Sequence, residues 1–503
     1  MTQNDRPTAL TQRLVLVVTI LGSSMAFLDG TAVNLALPTL QKVFVVDVSS
    51  VQWVIESYAL TLASLLLVSG SMGDRYGRRK IYIYGVVLFT VASVMCGLAN
   101  SIEWLIIARA VQGVGAALLV PGSLALITAI FPEDTRGKAI GTWSGFSALT
   151  AALGPVAGGW LIEHFSWRWV FFLNVPLALA VVILSVKVPE TKDDDVTGSL
   201  DWLGATLTTL GLGGITYALI EWPSGAHRNL LAGMATAGVV ALVAFGRLER
   251  HASSPMLPFA LFHSRNFTGA NLLTFFVYAP LGALFFFTPL DLIQIQHYSA
   301  TEAGAALVPF VVSMFVFSRW AGALVGRYGA RLPLTVGPLI TSVGFALFAL
   351  APQSGHYWTS FLPAVLVLSL GMTITVAPLT TTLMNAVPTS EAGVASGINN
   401  AVSRLASLIA VAAFGALMVT VFNNSLDHHL ATLHLPPDVL AEIHANRLQL
   451  AAIKVANIEA MQAIAASFVT AYRNVMWVAA ASVFTGALIA WFVVVPKEPQ
   501  QEV

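Results

Sequence analysis

The chain has 503 residues, 56% of them hydrophobic and only 10% charged, and its mean hydropathy is +0.78. A soluble protein carries about 25% charged residues, so this composition excludes an ordinary soluble domain and describes an all-α polytopic membrane protein. Lys+Arg and Asp+Glu stand at 25 each, which leaves no electrostatic case for nucleic-acid binding, and the single cysteine, Cys96, excludes an internal disulfide and reads as a small core residue.

A spanning helix needs about 20 mostly apolar residues. By that criterion the chain reads as fourteen spans, at 14–36, 50–71, 80–99, 104–130, 138–162, 169–188, 202–221, 229–246, 267–290, 302–325, 333–351, 358–384, 394–421 and 473–495. The first run lacks a small-residue cleavage pattern, so it reads as a retained helix. An even count puts both termini on one side. Arg13, Arg75, Arg78, Arg79, Lys80, Arg136, Lys138, Lys187, Lys192, Arg247, Arg250, Arg265, Arg327 and Arg331 fall on that side. The short loops opposite carry only Lys42, Arg168 and Arg228. The bias places both termini in the cytoplasm.

Between the second and third spans lies Gly70-Ser71-Met72-Gly73-Asp74-Arg75-Tyr76-Gly77-Arg78-Arg79-Lys80. It is a short polar knot whose glycines allow a tight turn and close helix approach. A related stretch, Gly322 to Arg331 with Gly326, Tyr328 and Gly329, recurs 252 residues later. Pro132, Gly137 and Gly141 are matched by Pro388, Gly393 and Gly397 at an offset of 256, and Pro121 is echoed by Pro378. The repetition predicts two pseudo-symmetric six-helix bundles, with two helices inserted between them. The expected boundaries are 1–188 for the first bundle, 189–266 for an acidic linker with the inserted helices, and 267–503 for the second bundle. Within the last, 422–472 is less apolar and reads as an external segment, a hairpin or a surface helix, with a helical run from Val439 to Val469. His428, His429, His434 and His444 fall there at irregular spacing, which reads as a solvated loop and not a metal site.

Direction and spacing gather three ionisable groups. The first span runs outward, so Asp29 lies about 22 Å from its inner end; the fourth and second run inward, so Arg109 and Glu56 lie about 8–9 Å from the outer side. Two carboxylates and a guanidinium therefore share one layer. Asp29 and Glu56 then line a cavity with Arg109 tuning them, since burial and a nearby guanidinium act oppositely on a carboxyl. The competing reading is a static Asp29–Arg109 bridge between helices. Asn34 and Gln112 can hydrogen-bond at the same level. Asp291 closes the run Phe285-Phe286-Phe287-Thr288-Pro289-Leu290 and reads either as a cavity-mouth residue or as a marker of the outer interface, with Phe286 either an aromatic contact for a lipophilic cation or plain packing. Arg319 and Arg404 lie inside apolar runs, and Arg404 reads as snorkelling from near an inner end.

Four motifs in order carry a family resemblance. Leu28-Asp29-Gly30-Thr31-Ala32-Val33-Asn34-Leu35-Ala36-Leu37-Pro38 is similar to the first-helix motif of the fourteen-helix drug:proton antiporters of the major facilitator superfamily. Gly70, Asp74, Arg75, Gly77, Arg78 and Arg79 resemble that superfamily's first cytoplasmic-loop motif. Arg109-Ala110-Val111-Gln112-Gly113-Val114-Gly115-Ala116 resembles its fourth-helix motif, and Gly154-Pro155-Val156-Ala157-Gly158-Gly159 its fifth-helix antiporter motif. The resemblance implies a proton-coupled exporter of amphipathic, cationic drugs, working by alternating access in the inner membrane of a bacterium. It implies that Gly154, Pro155, Gly158 and Gly159 pack against the other bundle to close the external side. The loop would act as a latch, with Asp74 facing a helix start near Thr389-Ser390-Glu391. Gly326 stands where the first half has Asp74, so that latch is one-sided.

The expected partners are the lipid bilayer and small amphipathic substrates, with a periplasmic accessory protein left open; the chain reads as a monomer with no cofactor beyond the coupling proton. Export of another lipophilic cargo, a lipid or metabolite, is the alternative. An enzyme is disfavoured, because the sequence holds no nucleotide loop, no metal-ligand pair on a helix and no nucleophile elbow.

Overall fold

A computed structural model describes residues 8–192, 200–225, 227–251, 259–352, 356–387 and 392–495. Among these the chain is helical, and twelve helices are long and apolar enough to cross a membrane. The first half gives α1 (Ala9–Phe44), α2 (Val48–Tyr76), α3 (Arg78–Gly97), α4 (Ile102–Ile130), α5 (Glu133–His164), α6 (Trp169–Phe172), α7 (Asn174–Ser185), α8 (Trp202–Glu221) and α9 (Arg228–His251). The second gives α10 (Arg265–Leu290), α11 (Ala300–Ala305), α12 (Val308–Tyr328), α13 (Arg331–Leu350), α14 (Tyr357–Asn385), α15 (Ala392–Leu430), α16 (Pro437–Asn446) and α17 (Ile458–Val493). The chain divides into two compact units. One comprises Met1–Leu40, Trp53–Gly214 and Ala237–Met256; the other comprises Gln41–Gln52, Ile215–Thr236 and Leu257–Val503.

In the first unit the polar knot is barely a loop. Helix α2 is helical through Tyr76 and α3 begins at Arg78, so Gly77 alone turns the chain, at φ 107°. In the second unit Gly329, 252 residues on, ends α12 at φ 73°. Both angles lie where only glycine is unstrained, so the sequence repeat is realised as a repeated turn. Helix α3 has no side-chain cap from its own N-cap residue. Glu190, from the segment after α7, takes that role: its carboxylate accepts the backbone N–H of Arg79 at 3.0 Å and of Lys80 at 3.2 Å. The Arg78 N–H donates to the Thr191 carbonyl at 2.8 Å, and Arg79 Nη1 donates to the Val188 carbonyl at 2.8 Å.

Close packing within this unit follows its glycines. A Cβ on Gly85 would sit 2.8 Å from Leu118 Cβ, and one on Gly115 2.5 Å from the Phe89 nitrogen, so α3 and α4 touch backbone to backbone. On α5, a Cβ on Gly158 would lie 2.7 Å from Ala32 Cβ, and one on Gly154 3.2 Å from the Leu28 carbonyl. Gly154, Pro155, Gly158 and Gly159 are buried. The described contacts of Gly154 and Gly158 run to α1 of their own unit, beside Asp29. Small residues permit approach by any helix, and the motif does not say which.

The C-terminal region departs most from expectation. Helix α15 continues to Leu430, and α17 starts at Ile458, where Asn457 caps it by accepting the Ala460 N–H at 2.9 Å. The expected external segment 422–472 thus shrinks to the connection between them. The run Val439–Val469 is not one helix. It breaks after α16 in a tight turn, Arg447–Ala452, where Leu450 takes φ 55° to become buried. In this second unit Gln41 accepts from Gln294 Nε2 at 2.9 Å and donates to the Gln449 carbonyl at 2.9 Å, so the segment is pinned to the end of α1. His429 bonds Ser467 Oγ at 3.0 Å. No group of three or more His, Cys, Asp or Glu among the described residues is arranged to hold a metal.

Candidate functional site

The fourth-helix motif builds the site in the first unit. Gly113 has no Cβ where the Tyr58 backbone of α2 passes, and Gly115 none where α3 passes. Those two approaches bring α2 and α3 to the helix that carries Arg109 and Gln112. Thr61 Oγ1 locks the first by donating to the Ala110 carbonyl at 2.8 Å.

Arg109 and Asp29 are both wholly buried. Arg109 Nη1 donates to Asp29 Oδ2 at 2.5 Å and to Gln112 Oε1 at 2.7 Å, and Gln112 Nε2 donates to Asp29 Oδ1 at 2.9 Å. The three side chains close a ring of hydrogen bonds in which each carboxylate oxygen has a donor. Arg109 Nε donates to the Val54 carbonyl at 3.0 Å, and its guanidinium carbon lies 4.2 Å from the Tyr58 ring centre. The ring extends outward. Gln112 Nε2 also donates to Ser93 Oγ at 3.3 Å, Ser93 donates to the Phe171 carbonyl at 2.9 Å, and Asn174 Nδ2 donates to Ser93 at 2.9 Å. Cys96 Sγ sits 3.6 Å from Gln112 Oε1. An intramembrane charge costs about 2.5–3.5 kcal/mol on insertion scales unless it is compensated. Here Asp29 and Arg109 compensate each other.

Glu56 is different. It too is wholly buried, yet neither carboxyl oxygen has a hydrogen-bond partner among the described residues. The expected trio therefore resolves into a bonded pair and a lone carboxyl. The reason is azimuth. Val54 and Tyr58 of α2 face Arg109, and at 3.6 residues per turn Glu56 is rotated roughly 160–200° from them. Depth along a helix does not fix the face.

Other predicted residues sit apart from this ring. Asn34 is half-buried and bonds only the Gly30 carbonyl of its own helix, at 3.3 Å. Phe286 is 1% exposed and packs edge-on to Phe287 with ring centres 4.8 Å apart, which makes it core and not an open aromatic surface. Asp291 is 2% exposed and so does not stand at an open mouth. It begins a π-helical turn, Asp291–Ile295, and Gln296 Nε2 lies 3.5 Å from its Oδ2. Arg75 is exposed beside the Tyr76 ring, and Arg78 is half-buried in the α3 clasp. Gly70 and Asp74 fall within α2, but their side chains, like residues 388–391, lie outside the described residues.

Sequence reasoning missed Ser93, Tyr58, Asn174 and Glu190. Asn174 carried a usable signal, a polar amide inside an apolar run. Ser93 and Tyr58 carried none, because serine and tyrosine are ordinary in such helices.

The family model described as Major Facilitator Superfamily matches residues 19–411. The chain is 33% identical over 438 residues to the multidrug resistance protein Stp of Mycobacterium tuberculosis, covering 86% of this chain and 81% of that one. It is 35% identical over 420 residues to the puromycin resistance protein pur8 of Streptomyces alboniger, covering 83% of each. The multidrug export protein EmrB of Haemophilus influenzae is 28% identical over 496 residues, 94% of each chain. Among solved structures, an inward-facing bacterial homologue of the human lysosomal transporter Spinster superposes with TM-score 0.66 at 19% identity, covering 96% of this chain and 98% of that one, a likeness of fold.

Proposed function

The chain belongs to the major facilitator superfamily, with multidrug and antibiotic efflux proteins among its relatives, and on that footing we propose that it exports amphipathic drugs, cationic ones included, in exchange for protons across the inner membrane of a bacterium. The reading takes the chain as a monomer of fourteen spans, two six-helix bundles and an inserted pair, that rocks to expose one central site to each side in turn with both termini in the cytoplasm.

The observation that carries it is Glu56. An ionised carboxylate with no partner is expensive to bury, so a proton taken from water is what permits the carboxyl to be held as it is here. Opening to the other side wets the carboxyl and lets the proton leave. The freed carboxylate then attracts a cationic drug, and the two ligands compete for one group. Asp29, Arg109 and Gln112 hold the helices around it. No enzymatic step is needed.

The test is Glu56→Gln in inside-out vesicles supplied with ethidium in the medium. The expected result is normal protein abundance, weakened ethidium binding and loss of uptake driven by the proton gradient. Gradient-driven uptake at the unmodified rate would remove Glu56 from the mechanism, and uptake indifferent to the gradient in the unmodified protein would remove the exchange itself.

A further inference from the structure

Helix α15 carries a polar stripe that the reading above does not use. Ser396, Asn400, Ser403, Arg404 and Ser407 follow the spacing i, i+4, i+7, i+8, i+11, so they share one face of an otherwise apolar helix. Arg404 lies twelve residues past Ala392, about 18 Å along the axis, which is deep for a side chain expected to snorkel to that end.

The stripe has no carboxylate. Arg404 makes no hydrogen bond or ion pair with any described residue, and it acts electrostatically on the Tyr278 phenol of α10. The neighbouring polar groups are satisfied among themselves. Asn399 Nδ2 donates to Asn271 Oδ1 at 3.1 Å and to Thr274 Oγ1 at 2.7 Å, and Ser407 Oγ donates to the Tyr278 carbonyl at 3.3 Å. A Cβ on Gly282 would lie 3.1 Å from the Ser407 Cα, so α10 and α15 are tightly joined along one edge of the stripe, at Ser407. Around Gly397, Asn400 and Arg404 it is open. Asn400 is exposed, Arg404 is half-buried, and a Cβ on Gly397 would meet nothing within 4 Å. A row of serines, asparagines and an arginine turned to lipid is unfavourable, so this open face borders water.

We propose that the α15 stripe is an anion-accepting subsite in the second unit, in which Arg404 binds an ionised acid group of the cargo and Asn400 and Ser403 border it. The exported class then includes amphipathic zwitterions and acids as well as plain cations. The guanidinium is an unpaired donor set on a wet face inside an apolar helix, and a carboxylate or phenolate is the group whose geometry it matches. The proposal rests on the drug-export reading and narrows its substrate class.

The test uses two dyes with the same cationic ring system, rhodamine B with its free carboxylate and rhodamine B ethyl ester without it. Equilibrium binding to the purified full-length protein is measured by fluorescence polarisation in phosphatidylcholine nanodiscs, with no gradient. Arg404→Ala is expected to weaken rhodamine B about tenfold, or about 1.4 kcal/mol, with the ester changed less than about twofold. Arg404→Lys should restore most of the preference. If the alanine variant is not monodisperse, Arg404→Gln reads the same ratio. Equal loss for both dyes, or an unchanged ratio, overturns the subsite. So does an Arg404 effect that appears only after phosphatidylglycerol is added, because the occupant is then a lipid headgroup. Loss of proton coupling in transport leaves this ratio untouched, so the two readings fail separately.

Discussion

Removing Asp29 is the sharpest test of the ring. Asp29→Ala deletes the acceptor of two hydrogen bonds, from Arg109 Nη1 at 2.5 Å and Gln112 Nε2 at 2.9 Å, inside a site with no exposure. It leaves a buried guanidinium with Gln112, the Val54 carbonyl and the rings of Tyr58 and Phe171 among the described residues. Breaking one side of a buried pair typically costs about 3–5 kcal/mol, mostly because the other charge remains. At about 2–4 °C per kcal/mol for a unit of this size, the apparent Tm should fall by roughly 6–20 °C. Asp29→Asn keeps one acceptor and should fall less. Adding Arg109→Met to Asp29→Ala removes the orphaned charge and should recover at least half of the loss, a coupling that additive effects cannot give. The assay is scanning fluorimetry of the purified variants in one detergent, with ligand absent. An Asp29→Ala protein as stable as the unmodified one, or a double variant less stable than the single, refutes the compensation argument.

The remaining predictions concern the clasp between Glu190 and α3 and the turn between α1 and α2. Gly77→Ala forces a Cβ toward the Glu190 carboxylate, which would lie 2.7 Å away, at φ 107°; it should destabilise by more than about 1 kcal/mol, read as a lower apparent Tm. Glu190→Ala strips the α3 cap, which should cost about 1 kcal/mol, while Glu190→Gln should cost less. Burial raises the carboxyl pKa of Asp47, between α1 and α2, above its ordinary value. A folded-state value above the unfolded one opposes folding once the group ionises, so Asp47→Asn should give a small gain in Tm at neutral pH that vanishes below the ordinary carboxyl range near 3.8. A gain that persists unchanged in acid would point to some cause other than charge.

The legible parts of this chain were those set by local chemistry. Gly77 and Gly329 were readable as a repeated turn because only glycine serves there, and the apolar runs gave the helices because lipid leaves the backbone no other partner. The Asp29–Arg109 layer was readable because helix direction converts sequence position into depth. What escaped was azimuth and long-range pairing. Glu56 shares the depth of Arg109 but not its face. Glu190 reaches α3 across more than a hundred residues, and no pattern within either segment announces it. The start of α17 was missed because residues 458–472, rich in alanine with a few polar residues, suit a solvated helix and a buried one equally.

The contrast between the two carboxyls bears on stoichiometry. Asp29 is tied to α4 by two bonds, and through its partners to α2 and α3, so neutralising it would strand Arg109 and disturb three helices. Glu56 has no hydrogen-bond partner among the described residues to strand. On the export reading proposed above, that contrast would give fastening to Asp29 and proton carriage to Glu56, one proton per cycle. Exchange of one proton for one monovalent cation moves no net charge, so a membrane potential imposed with potassium and valinomycin should leave ethidium transport unchanged while a pH step drives it. A second proton would make the cycle electrogenic, at about 2.3 kcal/mol per charge for 100 mV, nearly fifty-fold in the attainable gradient. Uptake driven by potential alone at clamped pH would return Asp29 to the coupling machinery, and the ring would then have to open and close in every cycle.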